Sequence, residues 1–101
     1  MSELVDRLRA IGARVAAGAD PPPTDGVRVV RRGDGTPNSV EVAPPGGLTL
    51  AALETELGAG TAVPKARPGP ARTSFAGDGY SVLAFHDAGG AVSALTVVRD
   101  T

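Results

Sequence analysis

The stretch 80-YSVLAFHDAGGAVSALTVVRD-100 decides the fold. Two runs rich in valine, leucine and phenylalanine, Tyr80 to Asp87 and Ala91 to Arg99, flank the turn Ala88-Gly89-Gly90. Runs of that length bounded by a glycine turn read as a β-hairpin. Both strands carry apolar residues on both faces. Val82 and Ala84 oppose Leu83 and Phe85; Val92 and Val98 oppose Leu95 and Val97. Two-sided apolarity suggests central strands, or a sheet covered by helices on one face and by a partner on the other. The hairpin also holds the chain's one histidine, His86, and its one tyrosine, Tyr80.

Working outward, Thr73 to Ala76 reads as a short strand around Phe75, and Gly77-Asp78-Gly79 turns it into the hairpin. Leu48 to Leu57 is the clearest helix. Thr49 is an N-cap type, Leu48 can staple to Leu53, and Gly58 is placed to end it. Leu50, Leu53 and Leu57 make its apolar stripe. Between this helix and the strands, 59–72 carries Pro64, Pro68, Gly69 and Pro70 and reads as a long flexible loop or a partly ordered crossover. Earlier in the chain, Val27, Val29, Val40 and Val42 alternate with Arg28 and Glu41, the pattern of a second hairpin over 26–43. The register lets Arg28 face Glu41 on the wet side. Residues 2–17 form a first helix with Leu4, Leu8, Ile11 and Val15 on one stripe and Gly18 as its stop. Gly12 within it costs about 1 kcal/mol of helix stability relative to alanine.

These elements sum to an α+β fold. We expect an antiparallel sheet of four or five strands with two helices packed on one face, in a single small domain spanning 1–101. With 42% hydrophobic but only 3% aromatic residues, the core is built from valine, leucine and alanine. The absence of cysteine removes disulfides, thiolate metal sites and cysteine nucleophiles. Together with the lack of a signal-peptide pattern or a membrane-length apolar run, it sets the expectation of a cytoplasmic protein with no membrane partner. The net charge of −1 argues against nucleic-acid binding, which favours a clustered basic surface. Abundant alanine, glycine, proline and arginine beside a single lysine, Lys65, fit a GC-rich bacterial genome.

The second half of the chain carries a pattern: a short LTxxxLExxLG helix from Leu48, a proline-bearing loop, a strand at Phe75, then Val82, Phe85, Asp87, Gly90 and Val92. Over residues 48–99 this resembles the small α/β domains of the BamE/SmpA and β-lactamase-inhibitor-protein type. The resemblance implies short helices on an antiparallel sheet and a role in binding other proteins. It implies no particular binding residue, because the matching positions are helix stops, turn glycines and core apolars.

Candidate chemistry is sparse. His86 beside Asp87 has the composition of a general base with a neighbour, and Ser74, Ser81 or Ser93 would have to be its nucleophile. None has nucleophile-elbow spacing. One histidine and scattered carboxylates make no zinc or calcium pattern, and no glycine-rich nucleotide loop follows a strand. No catalytic residue, cofactor or metal ligand is therefore assigned. The basic residues Arg28, Arg31 and Arg32, with Lys65, Arg67 and Arg72, would form an anion patch if the 59–72 loop folded over the first hairpin. The expected function is a non-catalytic protein-binding module, an inhibitor, immunity-like protein or accessory subunit, or a homodimer. Its expected interaction surface is Val82, Leu95 and Val97 with Arg28, Arg32, Arg67 and Arg72. The alternative is a small enzyme or ligand binder with a cleft near 59–72 and His86.

Overall fold

A computed structural model describes residues 2–21, 26–31, 33, 35, 37–63, 69 and 71–99. In chain order they form α1 (Ser2–Ala16), β1 (Val27–Arg31), β2 (Pro37–Val42), α2 (Leu50–Leu57), β3 (Thr61–Val63), β4 (Ala71–Ala76), β5 (Tyr80–His86) and β6 (Val92–Arg99). The strands make one sheet in the order β1-β2-β6-β5-β4-β3, and every neighbouring pair is antiparallel. The fold is α+β, as expected, but the sheet has six strands rather than four or five. The extra strand is β3. It occupies three residues between Gly60 and the prolines, too few to show alternation, and it is held by pairing Thr61 to Ser74 and Val63 to Arg72. Of the two readings of 59–72, the partly ordered one fits: 61–63 and 71–72 lie in paired strands, and 64–68 and 70 lie outside the described residues.

The topology explains the two-sided apolarity of the last hairpin. Strands β1 and β2 form one hairpin, and β3 to β6 form a meander that begins at the far edge. The meander returns until β6, the last strand in the chain, pairs with β2. Strands β5 and β6 are therefore the two central strands.

One face of the sheet is the core. Val40, Val42, Val82, Ala84, Leu95, Val97 and Phe75 line it, and the α1 stripe of Leu4, Leu8, Ile11 and Val15 packs on them with Leu48 and Leu53. Helix α1 lies across β6, β5 and β2 and touches α2. It closes in a Schellman motif: Gly18, at φ 73°, donates to Val15 O (3.0 Å) and Ala19 donates to Arg14 O (2.8 Å). Helix α2 starts where the Thr49 side chain accepts from Ala52 N (3.2 Å). Its leading segment is tied to the last hairpin, with Leu50 N donating to Gly90 O (2.8 Å) and Val92 N to Leu48 O (3.0 Å).

Strand β6 contains one extra residue. Phe85 pairs with Ala94 but His86 pairs with Val92, so Ser93 bulges. A bulge resets the side-chain alternation. It brings Val92 to the helix-covered face, where Val92 packs on the core, and leaves Ala94, Thr96 and Val98 on the other. Expecting Val92 and Val98 to share a face assumed an unbroken strand.

Candidate functional site

Val82, Leu95 and Val97 were expected to be an exposed patch. They are at most 2% exposed and lie beneath α1. The correction follows from parity. Whichever set faces the helices, the alternate set faces away, and the core took Val82, Leu95 and Val97.

The opposite face is the open one. Its side chains can be read off the pairing register in rows running across the sheet. One row is Val30, Ser39, Val98, Ser81 and Ala76. The next is Arg28, Glu41, Thr96, Leu83, Ser74 and Thr61. A third is Ala94, Phe85, Arg72 and Val63. Leu83, Phe85, Ala94, Thr96 and Val98 are only half-buried, and none belongs to the core cluster or packs against it. Among the described residues no helix covers them. The centre of this face, on β5 and β6, holds no charged side chain; Glu41 lies to one side and Arg72 to the other.

The polar groups at its margins are specific. Arg28 Nη1 stands 3.8 Å from Glu41 Oε2, and the two are cross-strand partners as the alternation of the first hairpin implied. The Arg72 guanidinium lies 6.0 Å from the centre of the Phe85 ring, within cation–π range. A hollow of about 520 Å³ opens beside the Arg28–Glu41 pair, bordered also by Phe85, Ser93 and Thr96. Arg28 and Arg72 do not combine into an anion patch. Strands β2, β6 and β5 separate β1 from β4. Arg31 is committed elsewhere, to a two-point contact with Asp20 (2.6 and 3.1 Å). Arg32, Lys65 and Arg67 lie outside the described residues.

His86 is on the helix-covered side, and both ring nitrogens are used. Nδ1 lies 3.0 Å from the Asp87 carbonyl, an acceptor only, so Nδ1 carries the proton. Nε2, 2.9 Å from Thr73 Oγ1, then accepts from that hydroxyl. Thr73 is 8% exposed and its methyl lies against Gly60, at the very place a β-carbon on that glycine would occupy. The Asp87 carboxylate does not assist the ring. Its Oδ1 accepts from Gly89 N and Ala91 N, both at 2.9 Å, and so builds the β5–β6 turn. Ser74 and Ser81 project to the open face, away from His86. Ser93 donates to the Phe85 carbonyl at 3.3 Å. A second hollow of about 640 Å³ lies beside this turn, bordered by Gly69, Ala71, Asp87, Ala91 and Val92, and neither His86 nor Thr73 lines it. The arrangement staples β5 to β4 through a nearly buried Thr73 hydroxyl.

No group of three or more potential metal ligands occurs among the described residues, and no helix there is long and apolar enough to cross a membrane. The class defined by fold and site is an α+β domain with one helix-covered sheet face and one open face. No family model matches the chain, and no curated protein or solved structure matches it.

The open face was half legible. Leu83 and Phe85 were read as apolar on the second side of their strand. Ala94 and Thr96 share the Val98 face by plain alternation with Leu95 and Val97, but one is small and the other polar, so neither stands out as apolar; the Ser93 bulge moves only Val92, and its signal is the spacing of three between Val92 and Leu95, both drawn to the core.

Proposed function

We propose that the chain is a non-catalytic protein-binding module that works through the open face of its sheet, as an inhibitor, an immunity-like protein or an accessory subunit. The observation that carries this reading is the charge-free centre formed by Leu83, Phe85, Ala94, Thr96 and Val98, uncovered among the described residues. Exposed apolar patches rimmed by polar groups are a feature of protein–protein contact sites, among other binding surfaces. The rim here is Arg28, Glu41 and Arg72, and interface cores are depleted of charge while arginine is enriched around them. The engaged state of His86 and Asp87 supports the non-catalytic half of the reading. The resemblance to BamE/SmpA and β-lactamase-inhibitor-protein domains, whose members bind proteins, points the same way, as does the absence of cysteine to a cytoplasmic setting.

The test is affinity capture from native-host lysate with the wild-type chain and Leu83→Arg as paired baits. A partner held by the wild type and lost by the variant, whose circular dichroism is unchanged, supports the reading. A partner held equally by both overturns it.

A further inference from the structure

We propose that the occupant of the open face is a second copy of this chain, packed sheet against sheet about a two-fold axis that runs along the strands between β5 and β6. The inference rests on the protein-binding reading of that face.

Three observations single out this axis. The first is its position. Strands β6 and β5 are third and fourth of six, so an axis between them lays the two central strands of one copy over those of the other. Such an interface is isologous: β5 of one copy lies over β6 of the other, and the reverse.

The second is shape. Rotation about this axis keeps the rows in line and exchanges the central strands. Leu83 then faces Thr96 of the second copy, Phe85 faces Ala94, and Val98 faces Ser81, because these residues already share rows within one sheet. In every row a large side chain meets a smaller one. Facing sheets pack with their inner side chains interdigitated about 10 Å apart, and large-against-small rows suit that spacing.

The third is charge. The same rotation lays β2 over β4. Glu41 then faces the row next to Arg72 of the second copy, close enough for two long side chains to pair. Both charges recur by symmetry, so the rim carries two such pairs flanking an uncharged centre. Within one copy Glu41 and Arg72 are three strand positions apart, about 14 Å at the usual spacing, and cannot compensate each other.

The experiment is sedimentation equilibrium of the full chain from low micromolar to millimolar concentration, with thermal unfolding and circular dichroism confirming that each variant folds. The wild type should approach twice the 10.0 kDa chain mass. Leu83→Arg should raise the dissociation constant by about a hundredfold or more, equivalent to about 2.7 kcal/mol. Glu41→Arg alone and Arg72→Glu alone should each raise it about tenfold, and the double exchange should return it to within about threefold of wild type. Recovery can arise only between copies, since the two residues do not meet within one. A chain that stays monomeric at millimolar concentration overturns the dimer, as does a dimer indifferent to Leu83→Arg. Failure of the double exchange to recover overturns the axis. A monomer whose captured partner is lost with Leu83→Arg sinks self-association while leaving the protein-binding reading in place; a monomer that captures nothing sinks both.

Discussion

Gly12 sits in the middle of α1, where alanine is ordinarily better by about 1 kcal/mol. The Tyr80 ring fills the place of the missing side chain. A β-carbon on Gly12 would overlap the ring, and the same ring occupies the place of a β-carbon on Gly77. Bounded on both sides, the ring has little freedom to swing aside. Overpacking costs about 1–3 kcal/mol and the propensity gain returns about 1 kcal/mol, so Gly12→Ala should lower stability by up to about 2 kcal/mol. Urea unfolding checks it; a raised midpoint would contradict the account of Tyr80. The Asp20–Arg31 contact makes a different prediction. The Arg31 hydrogen bonds hold the Asp20 carboxyl below its ordinary pKa of 3.8; desolvation opposes this in part, and the arginine charge adds to the lowering. A group whose folded pKa is depressed stabilises the fold above its unfolded pKa. That contribution fades as pH falls through the folded value. Both side chains are about half exposed, so the effect is small and weakened by salt. The melting temperatures of wild type and Asp20→Asn should differ at neutral pH in low salt, wild type higher, and converge in strong acid. A difference that persists in strong acid would show that Asp20 acts through something other than its charge.

At the scale of elements, legibility followed the length of the pattern. Helix α1 was readable because four apolar residues repeat along one stripe and a glycine closes it; all four are buried, and Gly18 and Ala19 make the closing bonds. Helix α2 was readable from its ends, since Thr49 and Gly58 both act as caps, Gly58 N donating to Glu54 O at 2.9 Å. Eight residues are too few to be a stable helix in isolation. What holds α2 is the burial of Leu53 and the bonding of its leading segment to Gly90 and Val92. Both contacts come from residues far apart in sequence, so no local pattern announces them. Strand β3 was not readable for the same reason. Thr61, Ala62 and Val63 have no period of their own, and they are a strand because β4 is there to pair with them. The start of β4 at Ala71 likewise depends on its partners, Ala71 opposite His86 and Arg72 opposite Phe85. The candidate site suffered most, because choosing between two apolar faces of a strand depends on which one the helices take.

For the whole molecule, that choice splits the sheet into two mechanical regimes one residue apart. Val97 and Val98 are chemically identical neighbours near the end of the chain. Val97 is fully buried under α1, whereas Val98 is half-buried on the open face. Because β6 closes the meander against β2, both valines sit in the third strand of six, and edge fraying cannot account for a difference between them. Val97→Ser removes two methyl groups' worth of packing and buries a hydroxyl among valines and leucines, for a loss of about 2–4 kcal/mol. That is a large share of the roughly 5–15 kcal/mol that a domain of this size commands. Val98→Ser exchanges a half-wet apolar side chain for a polar one, and in dilute solution it should move monomer stability by about 0.5 kcal/mol or less. Chemical denaturation of the two variants at low concentration measures both. Equal losses would mean that both faces are packed within one chain, and would remove the open face together with everything argued from it. A loss confined to Val97 would leave Val98 free to act at the surface, where its substitution should register in association and not in folding.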